Sequence, residues 1–370
     1  MTMIISSLRH SLCFALCSMV FACGPTGSAS DPLPLAPKSG EGFNYPTVTP
    51  ETKPPVAVAP PVTDGSTSPT TDLTKPTTPA NTTLPTNVIT DTDIPRTSAP
   101  AGGNFLAQIE ALTPIGTADS IEIGAWNIEN YPKTAQSKNM VSKVLNKLDI
   151  DIMGVEEIAS TEVFNDLLKE MPSFAGVIAG MNGGQKSQNV GVIYRSSEFK
   201  MVAAKELFTG QNDAFPRPPL AVRLDPIKEG RNDIMVIIVH LKAFGDEDSA
   251  QRRERANIAL QGYAADLLAN EPKLQIVLLG DFNQPLGTPL EREVFRPWFD
   301  RPETYSVKTD SNVKKNDYSF FGNAFFSFID HIIASNNFVM EEPMVPKLQT
   351  KISDFELHAS DHLPVIGIIR

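Results

Sequence analysis

Proline is unevenly spread along this chain: 16 of its 31 prolines lie between Cys23 and Pro100. Each fixes φ and removes a backbone donor, so neither helix nor central strand can run through them. The residues between are largely Thr, Ser, Ala and Asp, as in Gly65-Ser66-Thr67-Ser68-Pro69-Thr70-Thr71. Such a stretch has too little apolar surface to offset the entropy of ordering it. We therefore read residues 23–116 as a disordered linker, partly extended as polyproline II. Its reach is on the order of 200 Å if stiff, at about 3.1 Å per residue. Any core must then come from the 254 residues from 117 to 370, a length that suits one large αβ domain. That segment holds 27 bases and 35 acids, a net −8 of the chain's −11. Such a balance argues against coating by nucleic acid through bulk charge. All three cysteines, Cys13, Cys17 and Cys23, precede the linker, which excludes a disulfide framework or a cysteine zinc site in the core.

The chain's first 22 residues read as an export signal. Arg9 precedes the apolar run Ser11–Ala22, which is too short to span a bilayer. The run ends in Val20-Phe21-Ala22-Cys23-Gly24, which resembles the lipobox of bacterial lipoproteins. The resemblance implies cleavage before Cys23 and acylation of its thiol and new amino group. Two or three acyl chains anchor stably where one does not. Gly24 rather than Asp after the cysteine implies, in bacteria with two membranes, the outer membrane or cell surface. The linker would then be a spacer lifting the domain off that membrane.

Beyond residue 116, short apolar runs alternate with helical patterns. Strands are expected at Ile121–Trp126, Ile152–Val155, Val190–Tyr194, Met235–His240, Gln275–Gly280, Phe328–Ala334 and Val365–Ile369. Ala250–Leu268 is the clearest helix, with Ile258, Leu260, Ala264, Leu267 and Leu268 as its apolar stripe and Arg252, Arg253 and Glu254 outside. Helices are also expected at Ser137–Leu148 and Thr161–Lys169. Many strands with few helices suggest stacked sheets with helices outside.

Polar residues interrupt these runs at their ends. Asn127 ends the first, Glu156-Glu157 the second, His240 the fourth, and Asp281 with Asn283 the fifth. Asp330-His331 lie inside the sixth, and Asp361-His362 stand just before the last. A buried carboxylate is costly unless paired, hydrogen-bonded or metal-bound. One such residue is ordinary, but six clusters that converge would supply oxygen ligands for a hard cation and imidazoles for charge stabilisation. Zinc is disfavoured by the absence of a His-Glu-x-x-His helix or a cysteine pair. A serine hydrolase is disfavoured by the absence of a Gly-x-Ser-x-Gly elbow.

Trp126-Asn127-Ile128-Glu129-Asn130, Val155-Glu156-Glu157-Ile158, His240-Leu241-Lys242, Gly280-Asp281-Phe282-Asn283, Ile329-Asp330-His331 and Ser360-Asp361-His362-Leu363-Pro364-Val365 together resemble the endonuclease/exonuclease/phosphatase superfamily, with its deoxyribonuclease-I-like fold. They occur in that family's order from Ile121 to the C-terminus. The resemblance implies an α+β fold, a four-layer αββα sandwich of two packed mixed sheets flanked by helices. It also implies metal-dependent phosphoester hydrolysis with Mg2+, or Mn2+ or Ca2+ in its place. By the same resemblance Glu157, Asn127 and Asp361 match metal-site residues, and Asp281 matches the residue that orients or deprotonates the attacking water, with Asn283 its partner. His362 matches the imidazole on the scissile phosphate, oriented by Asp330. His240 matches a second histidine, and Arg217 a phosphate-contacting arginine, with Asn127 also near the phosphate.

Three positions depart from the family pattern. Glu156 stands where Gln is usual and, one residue from Glu157, points to the opposite strand face; it reads as a supporting carboxylate. Gln188 stands where deoxyribonucleases carry a Glu that orients the histidine matched by His240, which puts that histidine's acid–base role in doubt. Ile158-Ala159 stands where a minor-groove arginine is found.

A surface-anchored, monomeric nuclease acting on extracellular nucleic acid is the leading expectation. A phosphoesterase for phospholipid headgroups or inositol phosphates is the second, and a non-catalytic binding module the third. Besides Arg217, the candidate bases for a polyanion are Lys242, Arg252, Arg253, Arg255, Lys314 and Lys315; all but Arg217 and Lys242 read as ordinary solvated surface. The aromatic stretch Tyr318–Phe328 reads as a packed hairpin turning at Gly322-Asn323, or as a surface for bases or lipid. His358 reads as a bystander.

Overall fold

The computed structural model of the chain describes residues 98–99, 102–180, 188–322 and 325–370. The signal segment 1–22, the lipidation candidate Cys23 and the proline-rich stretch up to residue 97 lie outside the described residues. Among the described residues no helix is long and apolar enough to cross a membrane.

The described elements are, in order, α1 (Phe105–Glu110), β1 (Ile121–Tyr131), α2 (Ser137–Leu148), β2 (Ile152–Ile158), α3 (Thr161–Lys169), β3 (Phe174–Ile178), β4 (Asn189–Arg195), β5 (Phe199–Glu206), β6 (Leu220–Pro226), β7 (Ile234–His240), α4 (Glu247–Asn270), β8 (Gln275–Asp281), α5 (Pro289–Glu293), α6 (Arg296–Phe299), β9 (Tyr305–Val307), α7 (Asp310–Lys314), β10 (Asp330–Ser335), α8 (Phe355–His358) and β11 (Val365–Ile369). All seven strands expected from sequence are present. Strands β3, β5, β6 and β9 had no clear apolar alternation to announce them; β5 is exposed along nearly its whole length.

The strands form two mixed sheets, ordered β11-β1-β2-β4-β3 and β5-β6-β7-β8-β10-β9. Within them β1 runs parallel to β2 and β7 parallel to β8, and the remaining pairs are antiparallel. The sheets pack face to face. The period-two alternation of β7 sorts its side chains between two cores. Ile234, Val236 and Ile238 face the other sheet, while Met235, Ile237 and Val239 face the helical layer with Leu260, Ala264 and Trp298. Gly154 sits where β2 faces β7 and β8 at close range: a Cβ there would lie 2.3 Å from Ile238 Cδ1 and 2.5 Å from Leu279 Cδ1. Helices α2 and α3 cover the outer face of the first sheet through Met140, Val141, Val144, Leu148, Phe164 and Leu167. The expected four-layer αββα sandwich is therefore what the chain forms.

Helix α4 corrects one sequence expectation. Its buried face is Ser249, Arg253, Ala256, Asn257, Leu260 and Ala264, whereas Ile258, assigned to the apolar stripe, is 55% exposed. The helix is phased by Asn257 and Arg253, whose polar groups have buried partners: Asn257 Oδ1 accepts from Trp298 Nε1 at 2.6 Å.

Candidate active site

Strand direction alone gathers the singled-out residues. The parallel strands β1 and β2 end at Asn127–Tyr131 and Glu157-Ile158, and the parallel strands β7 and β8 end at His240 and Asp281, which are register partners. Antiparallel β10 begins where β8 ends, pairing Asp330 with Asp281. Antiparallel β11 begins where β1 ends, and Asp361-His362 lead into it. One end of the sandwich thus receives a polar residue from each of six strands.

There they interlock. His362 Nδ1 donates to Asp330 Oδ2 at 2.9 Å, and its Nε2 lies 3.9 Å from both Asp281 Oδ2 and Asp361 Oδ1. Asn127 Nδ2 bridges Glu157 Oε1 (3.2 Å) and Asp281 Oδ2 (3.1 Å). Asp281 Oδ1 accepts from the Asn283 backbone N–H at 2.7 Å, and Asn283 Nδ2 donates to Leu241 O at 3.3 Å. Glu157 Oε2 accepts from Asn130 N at 2.9 Å. His240 Nε2 sits 3.6 Å from Glu157 Oε1 and 3.7 Å from Asp281 Oδ2. Arg217 donates to Gln188 Oε1 and, at 3.4 Å, to Leu241 O. Every site residue expected from sequence beyond the linker is therefore at this end.

Burial and crowding set the charges. Asp281 is pushed up to about 7, first by burial and then by the neighbouring Asp330 carboxylate. Asp361 is also pushed up to about 7, chiefly by burial. Burial alone would discharge His362, but the Asp330 carboxylate in contact with it holds its imidazole well above the usual range, hence charged. His240 goes the other way: burial, then the Arg217 and His362 cations, push it well below the usual range. Its Nδ1 has no hydrogen-bond partner among the described residues, because Gln188 is turned to Arg217 and to Asn130 Oδ1. Glu156, fully buried, is raised well above the carboxylate range by burial and by Asp330 and Asp281. It is the register partner of Asn127, and the left-handed Glu157 (φ 63°) breaks the simple alternation expected to send the two carboxylates to opposite faces. Glu156 lies against Gly280, where a Cβ would come within 2.7 Å of its Oε1.

The donor set suits a hard divalent cation. Donor atoms of Asp281, Asp330 and His362 all lie within 4.8 Å of one another; with its imidazole charged, His362 has no lone pair for a metal, so the oxygens are the ligands on offer. Asp361 Oδ1 is buried and unpartnered, and Glu157 adds a carboxylate on the far side of Asn127. Carboxylates packed this closely repel, and a bound cation relieves that repulsion.

Two residues at this end lie in stretches that the sequence singles out but were given no site role there. Glu129, left-handed at φ 36°, accepts from the Asp361 backbone N–H at 2.9 Å and pairs with Lys133. Phe320 sets its ring edge on His362, centroids 4.9 Å apart. Two further readings change. Arg253, taken for solvated surface, is 2% exposed. The 318–328 stretch forms an antiparallel bridge from Phe320 to Ser327; Asn323 of its expected turn lies outside the described residues. Lys314 and Lys315 pair with Asp310 and Glu342, and Arg252 and Arg255 with Asp213. His358 is held by Thr134 Oγ1 at 3.0 Å.

A two-sheet αββα sandwich with this acidic and imidazole cluster at its strand ends defines a class of phosphoester hydrolases. The chain belongs to the endonuclease/exonuclease/phosphatase family, whose family model matches residues 111–362. Members of that family hydrolyse phosphoesters and generally depend on a divalent metal. The fold is similar to that of a mannosyl-6-phosphatase from Bacteroides thetaiotaomicron, at 17% identity and a TM-score of 0.53 over 68% of this chain and 100% of that one. It is also similar to TDP2 from C. elegans (13% identity, TM-score 0.53, 68% of this chain and 76% of that one). The human Nocturnin catalytic domain is a third (15% identity, TM-score 0.51, 68% and 93%). No curated protein matches the sequence.

Proposed function

We propose that this chain is a divalent-metal-dependent phosphodiester hydrolase in which water is the nucleophile. The observation that carries the reading is the buried Asp281–Asp330–His362 cluster with Glu157 and Asn127 beside it. Glu157, Asp361 and Asn127 would hold the metal. When bound, the metal polarises phosphoryl oxygens and neutralises the charge that grows on them. Asp281, fixed by Asn127 and Asn283, takes the proton of the attacking water. His362, kept charged and aimed by Asp330, donates through Nε2 to a phosphoryl oxygen and stabilises the transition state more than the ground state. Arg217 adds a fixed cation beside the same phosphate. His240 is uncharged and serves as a hydrogen-bonding group rather than as an acid.

On this reading the enzyme is anchored through acylated Cys23 and held off the outer membrane by the 23–116 linker, where it degrades extracellular nucleic acid as a monomer. A second reading is a phosphoesterase for phospholipid headgroups or inositol phosphates. It is favoured by the buried, apolar Ile158 where a groove-reading arginine would be needed. Purified protein should cut single or double strands in Mg2+ or Mn2+ and stop in EDTA. Asp281→Ala and His362→Ala should each lower the rate by about 1,000-fold or more. Release of phosphorylated headgroup with DNA left intact would decide for the second reading. No hydrolysis of any phosphoester with any divalent metal would end both.

A further inference from the structure

The segment joining β7 to α4 presents an aromatic ring to solvent in a conformation that a bulky residue rarely adopts. Phe244 has φ 80° and is 73% exposed. A side chain with a Cβ is disfavoured in the left-handed region, and an exposed phenyl gains nothing from packing. Such outliers persist when the surroundings over-determine them, and they cluster at functional sites. The determinant here is Arg253. From inside the second turn of α4 its Nη1 donates to Lys242 O (2.8 Å) and Phe244 O (2.6 Å), and its Nε to Gln284 Oε1 (2.8 Å). Gln284 is itself tied to Pro285 O and Glu291 O. The backbone at Phe244 is therefore fixed from within, and the ring that it carries stands exposed.

Its position and its two faces are informative. Three residues upstream, Leu241 O accepts from both Arg217 and Asn283, so the segment that carries the ring leaves directly from the place where the phosphate is expected. Lys242 Nζ lies 4.2 Å from the ring centroid. A cation on one face leaves the other as the open surface. An open ring face next to an ammonium and a phosphate site matches one chemistry closely: a flat base joined to a phosphate. Bases stack on such rings with little regard to sequence. In a duplex both faces of each base are already occupied by neighbours.

We propose that Phe244, its backbone fixed by Arg253 and its ring backed by Lys242, is a stacking platform for one unpaired nucleobase, and that it selects single-stranded over duplex nucleic acid. The inference rests on the phosphodiesterase reading above. Phe244 is a specificity residue and touches no reacting atom.

The test compares three substrates at equal length and charge: a single strand, the same strand with every base removed, and the duplex. For the native protein KM should be about tenfold lower on the single strand than on the baseless strand or the duplex. Phe244→Ala should raise KM on the single strand by about tenfold, with kcat and the baseless strand changed by less than about twofold. Phe244→Trp should keep the preference, and its fluorescence should be quenched by the single strand in EDTA, where nothing is cleaved. Equal KM on single and baseless strands, or an unchanged Phe244→Ala, overturns the platform and leaves the phosphodiesterase reading standing. If no strand is cut, the nuclease reading fails instead, and the titration alone decides: no quenching, or quenching by phosphatidylglycerol vesicles rather than by the strand, overturns the platform.

Discussion

Strands β1 and β2 bury carboxylates at both ends, and the two ends treat them differently. Where the strands begin, Asp151 has Arg195 Nε at 3.0 Å and the Glu122 backbone N–H at 3.2 Å, so each oxygen has a partner. Glu122 accepts from Ser120 Oγ, which also bonds Thr117. Where they finish, acids outnumber their cations: Glu157, Asp281, Asp330, Asp361 and Glu129 share Arg217, Lys133 and His362. Asp361 Oδ1, His240 Nδ1 and both Glu156 oxygens have no partner among the described residues, against Glu122 Oε2 alone at the starting end. Backbone strain divides the same way. Glu129, Asn130, Glu157, Gln188 and Asn283 are left-handed at the finishing end, against Asp149 at the other. Burial of charge is common to both ends. The greater share of unmet coordination and of strained backbone marks the end built to receive something.

If that contrast is real, matched substitutions should separate activity from stability. Asp281→Asn should cost about 1,000-fold in kcat while leaving Tm unchanged or higher, because it removes a carboxylate crowded by Asp330. Asp151→Asn should leave kcat alone and lower Tm. A drop in Tm for Asp281→Asn as large as for Asp151→Asn would break the comparison.

Asp330→Asn probes the one pairing that keeps charge at the finishing end. Asp330 holds the His362 imidazole above its usual range, so the charged form persists to high pH in the native protein. Without that carboxylate the proton is lost at lower pH. The alkaline limb of the kcat profile should therefore move to lower pH, with a loss of about 100-fold at neutral pH. An unmoved limb would mean that His362 is not used in its charged form.

Arg195→Ala should do the reverse. It strands Asp151 at the starting end and should lower stability by about 2 kcal/mol, read by urea denaturation, with kcat unaffected.

The finishing end was legible in sequence because its residues interrupt apolar runs. Asn127, Glu157, His240, Asp281 and Asp330 each follow or open a strand whose β-branched pattern is unmistakable, and strand direction does the rest. Glu129 escaped because it lies past Asn127, where β1 leaves regular register and φ turns positive, so no alternation points to it. Arg253 escaped because a charged residue within a helix reads as exposed. Its partners are carbonyls 9 and 11 residues before it and an amide 31 residues after it, and no local pattern encodes them. The starting-end cluster escaped for a related reason: Glu122 inside an apolar strand looks like a solvent-facing residue until the chain from Thr117 to Ser120 is seen to cover it.

The smallest expected effect concerns that covered residue. Burial, with help from Asp151, pushes Glu122 up to about 7 from an ordinary 4.5. The unfolded chain releases this proton near the ordinary value. Between those two pH values the folded chain holds a proton that the unfolded chain has lost, so stability declines as pH rises through the window. Glu122→Gln cannot titrate and still accepts from Ser120. It should flatten the slope, with Tm near pH 7 higher than native by about 2–4 °C, the shift that ~1 kcal/mol produces in a domain of this size. Near pH 4.5 the two proteins should melt together. Parallel native and variant profiles would mean that Glu122 ionises freely, and the starting end would then carry an unrelieved charge of the kind the finishing end uses.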